Sequence, residues 1–229
     1  MIKYQKTFSF EAKEILVIGM ESSLEECRLK FGDNHIYQRV GNHSEAEKIL
    51  KPDAIVFDFE IDDDSDGISL YRNFDGIAFL GLSKKSLKQL INSAAATTTF
   101  FGFCGMPTFL NRGVLEVSLH RKIELERLKE VCEKLNTKFA VVNDQVGLVT
   151  ARVICMIINE AYFSIQEHIA SRGDIDLAMK LGTNYPFGPF EWSDKIGLKN
   201  VYEMLNAVYE NTKDERYKIC ELLKEEALR

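Results

Sequence analysis

The feature that most limits what this chain can fold into is a change of period partway along it. Before residue 104, short runs of β-branched and aromatic residues recur at 15–18, 36–40, 54–59, 77–82 and 97–103, the composition of strands. Helical stretches lie between them. One is capped by Ser22 or Ser23 and runs to about Lys30, one runs from Ser44 to Leu50, and one covers 85–94 with Leu87, Leu90 and Ile91 on a face. Parallel neighbours need a crossover connection, so strands alternating with short helices predict a parallel sheet. From Arg121 the period becomes helical, with Leu125, Leu128, Val131 and Leu135 sharing one side. Residues 138–142 read as one more strand. After Gly147 the chain reads as nearly all helix. Residues 148–168 are apolar enough for a buried central helix, and Asp174 is placed to cap the start of the next. Pro186-Phe187-Gly188-Pro189 must be a turn, and 198–212 and 215–228 are two final helices. The expectation is an α/β domain over 1–143 followed by an all-α domain over 144–229.

Of the 229 residues 45% are hydrophobic, enough to bury a sizeable core. Lys and Arg total 29 against 35 for Asp and Glu, and no basic stripe interrupts this net charge of -6, which argues against nucleic acid as a partner. The cysteines, Cys27, Cys104, Cys132, Cys155 and Cys220, are odd in number and lack the short paired spacings of a zinc site or disulfide framework. They predict reduced thiols and no metal. Residues 1–14 are too polar for a secretory signal, and the apolar run 153–158 is too short to span a bilayer. A cytoplasmic protein without a membrane partner is expected.

From Asp144 onward the wording of the sequence carries more. Asp144, Val146-Gly147-Leu148 and Ala151-Arg152 are followed by Asn159-Glu160-Ala161, Ile169-Ala170-Ser171, Asp174-Ile175-Asp176 and Leu181-Gly182. Pro186, Gly188-Pro189-Phe190-Glu191, Asp194 and Gly197-Leu198 complete the series. In this order and spacing the segment resembles the helical C-terminal domain of 3-hydroxyacyl-CoA dehydrogenases, whose second domain opens with Asp, Pro-Gly-Phe and Asn-Arg. A weaker match runs back to about Thr97. The resemblance implies a Rossmann-like NAD-binding domain joined to a helical domain that dimerises. Read for their own chemistry, the matching residues are mainly caps and turns: Asp174 and Asp176 favour a helix start, Gly188 permits a tight turn, and Glu191 and Asp194 accept from local backbone donors.

A Rossmann turn needs Gly-x-Gly-x-x-Gly so that the pyrophosphate can reach the helix N-terminus. Here it reads Gly19-Met20-Glu21-Ser22-Ser23-Leu24, keeping only Gly19 as a remnant, and Glu21 adds like charge to the steric obstruction. The second strand ends Tyr37-Gln38-Arg39-Val40 without the carboxylate that would meet the ribose. Only residues 41–53 link that strand to the next, where the family carries a long helical insertion, so the Rossmann half is read as reduced. Loss of the cofactor is expected, with NAD bound if the site works in distorted form.

The family's chemistry, as the resemblance implies it, uses a histidine oriented by a glutamate, with a serine and an asparagine near the substrate. The histidine stands in a motif like "GLHFFNP", followed by "LVEV". Here the matching text is Gly102-Phe103-Cys104-Gly105-Met106-Pro107, then Leu115-Glu116-Val117. Cys104 therefore occupies the histidine position and Glu116 is retained. Aligning Ser86-Leu87 with "NTSSL" puts Lys85 at the serine, and Ala151 sits at the asparagine. Glu116 beside Cys104 would raise the thiol pKa rather than activate it.

Asp62, Asp64, Asp66 and Gly67 match the first half of a calcium loop, but Leu70 and Asn73 stand where its later ligands belong, leaving a solvated acidic turn. Trp192 reads as a core anchor. The resulting expectation is a homodimeric family relative that has lost redox chemistry and serves as an acyl-CoA-binding or assembly protein. The alternative is an active 3-hydroxyacyl-CoA (3-hydroxybutyryl-CoA) dehydrogenase of fatty-acid metabolism with rearranged residues.

Overall fold

The computed structural model describes residues 12–91 and 97–229. Seven strands form one sheet: β1 (Glu14–Ile18), β2 (Ile36–Val40), β3 (Ile55–Asp58), β4 (Ile77–Gly81), β5 (Thr99–Phe103), β6 (Leu115–Leu119) and β7 (Phe139–Val142). Their order is β2-β1-β3-β4-β5-β6-β7. All neighbours are parallel except β5 and β6, where Phe101 faces Leu119. A six-stranded Rossmann sheet runs 3-2-1-4-5-6; here the strand beyond β2 is absent from the described sheet, and β2 is its edge. That accords with the short 41–53 connection, and it leaves Ile36 more than half exposed.

Alternation sorts the strand residues onto two faces. Ile15, Val17, Ile55, Phe57, Phe79, Phe101 and Phe103 point to one side, under α1 (Glu21–Phe31) and α4 (Leu125–Lys134). Their rings form a ladder: Phe57 stacks on Phe79 with centroids 4.7 Å apart, and Phe79 meets Phe101 at 5.1 Å. Such aromatic pairs add to simple area burial. Leu16, Ile18, Val56, Ala78 and Leu80 point to the other side, against Tyr71, Phe74 and Leu87. The cover there is thin, consisting of α2 (His43–Glu47), the 3-10 turn Ser65–Tyr71 and the short α3 (Leu87–Leu90).

The helical half comprises α5 (Thr150–Gln166), α6 (Arg172–Thr183), α7 (Pro189–Ile196), α8 (Leu198–Thr212) and α9 (Glu221–Ala227). Its core is Ile154, Cys155, Ile158, Tyr162, Trp192, Ile196, Met204, Leu205 and Leu223, and it also takes in Cys104, Met106 and Phe109 from the loop after β5. That loop is one of the places where the two halves join.

Several local expectations shift. The cap of α1 is Met20 rather than Ser22 or Ser23, and that of α2 is Asn42, whose side chain accepts from Glu45 N–H, rather than Ser44. α6 starts earlier than expected because Ser171 caps it, accepting from Asp174 N–H, so Asp174 lies inside the first turn. β6 and α7 were not anticipated. Pro189 does break the preceding chain, but it stands in the first turn of α7, where its missing N–H costs nothing. The last expected helix is a 3-10 turn, Glu215–Tyr217, followed by α9. Residues 92–94 of the expected 85–94 helix lie outside the described residues.

Candidate functional site

Nucleotide-type sites in such sheets lie at the C-terminal ends of the strands, at the switch point of the strand order. Here that point is between β1 and β3. Gly19 leaves β1 with φ +152°, and an added Cβ would lie 3.0 Å from Ser23 Oγ and 3.1 Å from Phe59 Cβ, so only glycine turns the chain there. The turn is fastened by Gly19 N–H to Val40 O at 2.9 Å and by Arg39, which donates to Gly19 O at 3.1 Å. Arg39 also pairs with Glu21 at 2.9 Å. Glu21 is the first residue of α1, so the positive end of that helix is met by the chain's own carboxylate.

Behind this turn lies a cleft of about 250 Å³. Glu26, Glu60, Asp62, Asp63, Glu203 and Lys84 supply its charged groups. Burial pushes the carboxyls of Glu26, Glu60 and Asp62 up from their ordinary values. Asp62 is 6% exposed, and its Oδ2 accepts from Ser83 N–H at 2.8 Å, Ser83 Oγ–H at 2.7 Å and Lys84 N–H at 2.8 Å. Lys84 reaches Asp63 and, at 3.1 Å, Glu203 of α8.

A second group gathers where β5 ends and β6 begins. Cys104, Glu116 and Thr150 line a cavity of about 20 Å³ with Phe109, Arg112 and Leu115. Cys104 is buried, and its thiol is pushed up to about 12, chiefly by burial with a further contribution from Glu116. A thiol so far above neutrality carries almost no thiolate. The Glu116 carboxylate is engaged elsewhere: Oε1 accepts from Val149 N–H, and Oε2 accepts from Thr150 N–H at 3.0 Å. These are free donors at the start of α5, so Glu116 seals a helix N-terminus.

The residues singled out by sequence are thus brought together only in part. Cys104 and Glu116 share the small cavity. Ala151, adjacent to Thr150, is 1% exposed within the helical core. Lys85 turns away, donating to Asp62 O at 2.7 Å and to Ser65 Oγ. Gly19 belongs to the other cleft. Sequence reasoning did not find Arg112, which stacks 4.5 Å over the Phe109 ring and 5.8 Å from that of Trp192, because nothing in Asn111-Arg112-Gly113 signals a stacked guanidinium. Trp192 is buried in the helical core, as its reading as an anchor required.

A third cluster was also not foreseen. His43 Nε2 bonds to Asp58 at 2.9 Å and Nδ1 to Asp64 at 2.9 Å, while Tyr71 O–H donates to Asp58 at 2.8 Å. Burial disfavours the imidazolium, but the bonds and charges of Asp58 and Asp64 outweigh it and raise His43 to about 9. Asp62 and Asp64 of the calcium-like run are therefore both engaged within the protein. Among the described residues no group of three or more His, Cys, Asp or Glu is arranged to hold a metal, and no helix is long and apolar enough to cross a membrane.

A mostly parallel, Rossmann-like sheet followed by a helical bundle defines the class: a two-part architecture, α/β and then all-α. Residues 147–228 match the family described as 3-hydroxyacyl-CoA dehydrogenase, C-terminal domain. Over 85 residues the chain is 41% identical to the 3-hydroxyadipyl-CoA dehydrogenase of Escherichia coli (strain K12), covering 37% of this chain and 18% of that one. Over 185 residues it is 29% identical to a 3-hydroxybutyryl-CoA dehydrogenase of Bradyrhizobium diazoefficiens, covering 76% of this chain and 53% of the relative. The chain thus spans about half or less of the length of these relatives. The crystal structure of M. tuberculosis FadB2 superposes with TM-score 0.72 at 16% identity, covering 94% of this chain and 93% of that one. That of (S)-3-hydroxybutyryl-CoA dehydrogenase PaaH1 from Ralstonia eutropha does so with TM-score 0.65 at 17% identity, with the same coverage. Residues 147–228 thus match a domain of the 3-hydroxyacyl-CoA dehydrogenase family, and the fold of the chain is shared with these solved structures.

Proposed function

We propose that this protein is a family member that has lost NAD-dependent hydride transfer and acts by binding, as an acyl-CoA-binding or assembly protein dimerised through its helical half. The observation that carries this reading is the pair Cys104 and Glu116. Hydride removal from an alcohol needs a proton acceptor titrating near neutrality. Cys104 stands at the family's histidine position with a thiol held at about 12. Glu116 is spent on backbone donors of α5, and the cavity they line, about 20 Å³, is too small for an acyl group.

The cofactor side supports the same reading. A dinucleotide brings a negatively charged pyrophosphate to the start of α1. Glu21 already occupies that position, and the cleft behind it is lined by five carboxylates against Lys84. These residues do not fit NAD.

Dimerisation is supported by α6, where Ile175 packs on the helical core but Leu177, one turn before Leu181, is 53% exposed. Leu181 is 78% exposed. A helix with such a face is stable when another surface covers it, and a two-fold contact with a second copy is the commonest arrangement.

NADH and acetoacetyl-CoA titrated separately into the purified protein, then assayed together, test the reading. No NADH fluorescence enhancement and no turnover are expected. Steady NADH production from 3-hydroxybutyryl-CoA that disappears on Glu116→Gln would establish an active dehydrogenase instead. Sedimentation equilibrium tests the dimer, which a single species at the monomer mass would rule out.

A further inference from the structure

We propose that β7, at the free end of the sheet, pairs with β7 of a second copy of this chain, joining two sheets edge to edge about a two-fold axis at Val141. This surface is separate from the helical face invoked above, and the backbone argues for it first. Leu115 N–H donates to Lys138 O, and the parallel register sets Leu115 beside Phe139 and Val117 beside Val141. In a parallel ladder this arrangement turns the N–H and C=O of Ala140 and the N–H of Val142 toward β6. Those of Phe139 and Val141 point away from the sheet, and no hydrogen bond among the described residues uses them. Unpaired donors and acceptors along an edge are a template for another strand.

The side chains leave that template open. Proteins guard sheet edges with charge, as β2 does here through Arg39, which is held by Gly19 O and Glu21. β7, by contrast, is Phe139-Ala140-Val141-Val142 without a charged residue, with Ala140 exposed and Val141 45% exposed. What selects a second copy as the occupant is self-complementarity. About an axis at Val141, an antiparallel pair sets Val141 against Val141 and Phe139 against Asn143, so the outward-pointing groups meet one another. The same register places the exposed Lys138 opposite the partly exposed Asp144 of the second copy, and Ala140 opposite Val142. Facing pairs of opposite charge and of apolar side chains both stabilise two strands. Moving the axis to Ala140 would instead set Lys138 against Val142, so charge favours Val141.

Cross-linking and sedimentation of the full chain test this. The native thiols Cys27, Cys104, Cys132, Cys155 and Cys220 are all buried, so an introduced surface cysteine is read alone. Facing residues of a hydrogen-bonded antiparallel pair have Cα atoms about 5.5 Å apart, within the span of a disulfide. Val141→Cys chains oxidised with copper phenanthroline are expected to give a covalent dimer, and Ile36→Cys chains, altered on the other edge, are not. Leu181→Glu removes the α6 contact and should leave a dimer in sedimentation equilibrium. Adding Val141→Pro, which deletes an N–H the chain itself does not use, should reduce that dimer to the monomer. A single species at the monomer mass in Leu181→Glu chains, no covalent dimer from Val141→Cys, or equal yields from both cysteine variants overturns the proposal. Failure of the helical dimer is read separately, as a mass that Leu181→Glu does not change.

Discussion

The region flanking β3 and the helical half are held together by different physics. Around 41–71 the chain is short and its helical cover thin, and the fastening is ionic: His43 between Asp58 and Asp64, with Tyr71 on Asp58 and the two backbone donors of Glu60 and Ile61 on the other Asp58 oxygen. In the helical half the fastening is an apolar core around Ile158, Trp192 and Met204, with carboxylates at helix starts and in partly exposed pairs such as Arg172 with Glu226. Asp176, for example, accepts from Phe190 and Glu191 N–H at the start of α7. Where the helical cover is thin, buried charge joins the elements; in the bundle, charge stays at helix ends and in partly exposed pairs. The first arrangement should be sensitive to pH and intolerant of losing one partner, the second indifferent to pH and graded in its response.

The comparison breaks most directly at His43. His43→Ala strands Asp58, which is fully buried, and should cost about 3–5 kcal/mol in urea unfolding, the range for removing one member of a buried ion pair. A loss below about 1 kcal/mol would show that the cluster is not what secures this region. Gly67→Ala should act through the same place, because its Cβ would fall 2.2 Å from the His43 ring.

The pH dependence sharpens the same contrast. His43 is raised in the folded protein to about 9, above its ordinary value near 6.5. Its contribution is therefore fully present below about pH 6.5 and lost as pH rises through about 9, a change of at most about 3 kcal/mol. Unfolding measured from pH 6 to pH 10 should show this decline in the wild type and not in His43→Gln. An unchanged slope in the variant would place the titration elsewhere.

Smaller effects are expected at the helix starts. Glu116→Ala should destabilise by about 1–3 kcal/mol, since two donors at the start of α5 lose a charged acceptor. Glu21→Ala should change stability by less than about 0.5 kcal/mol, because its pair with Arg39 is largely exposed. Thermal melts of both variants check the ordering, which a larger loss at Glu21 than at Glu116 would reverse.

Much of this architecture is visible in the sequence because the strands alternate cleanly and the helices repeat at the right spacing. β6 escaped because Glu116 and Ser118 interrupt its five residues, and only pairing with β5 and β7 makes that run a strand. α7 escaped because Pro186 and Pro189 read as breaks. The resemblance located Cys104 and Glu116, but not what Glu116 does, since the donors it serves lie 33 and 34 positions away. The His43 cluster was illegible for a similar reason: its members are 15 and 21 positions apart and meet only through the sheet. Spacing along a chain reports local geometry, and these sites are made by topology.

Two of the sealed helix starts have a thermodynamic consequence. Asp144, past the last strand, accepts from Leu87 and Lys88 N–H at the start of α3, while Glu116, in the sheet, serves the start of α5. Each half therefore depends on the other to complete one of its helices, and neither can unravel without exposing unsatisfied donors in its neighbour. Such reciprocal dependence couples the two into one cooperative unit, so heat should melt the whole chain in a single transition.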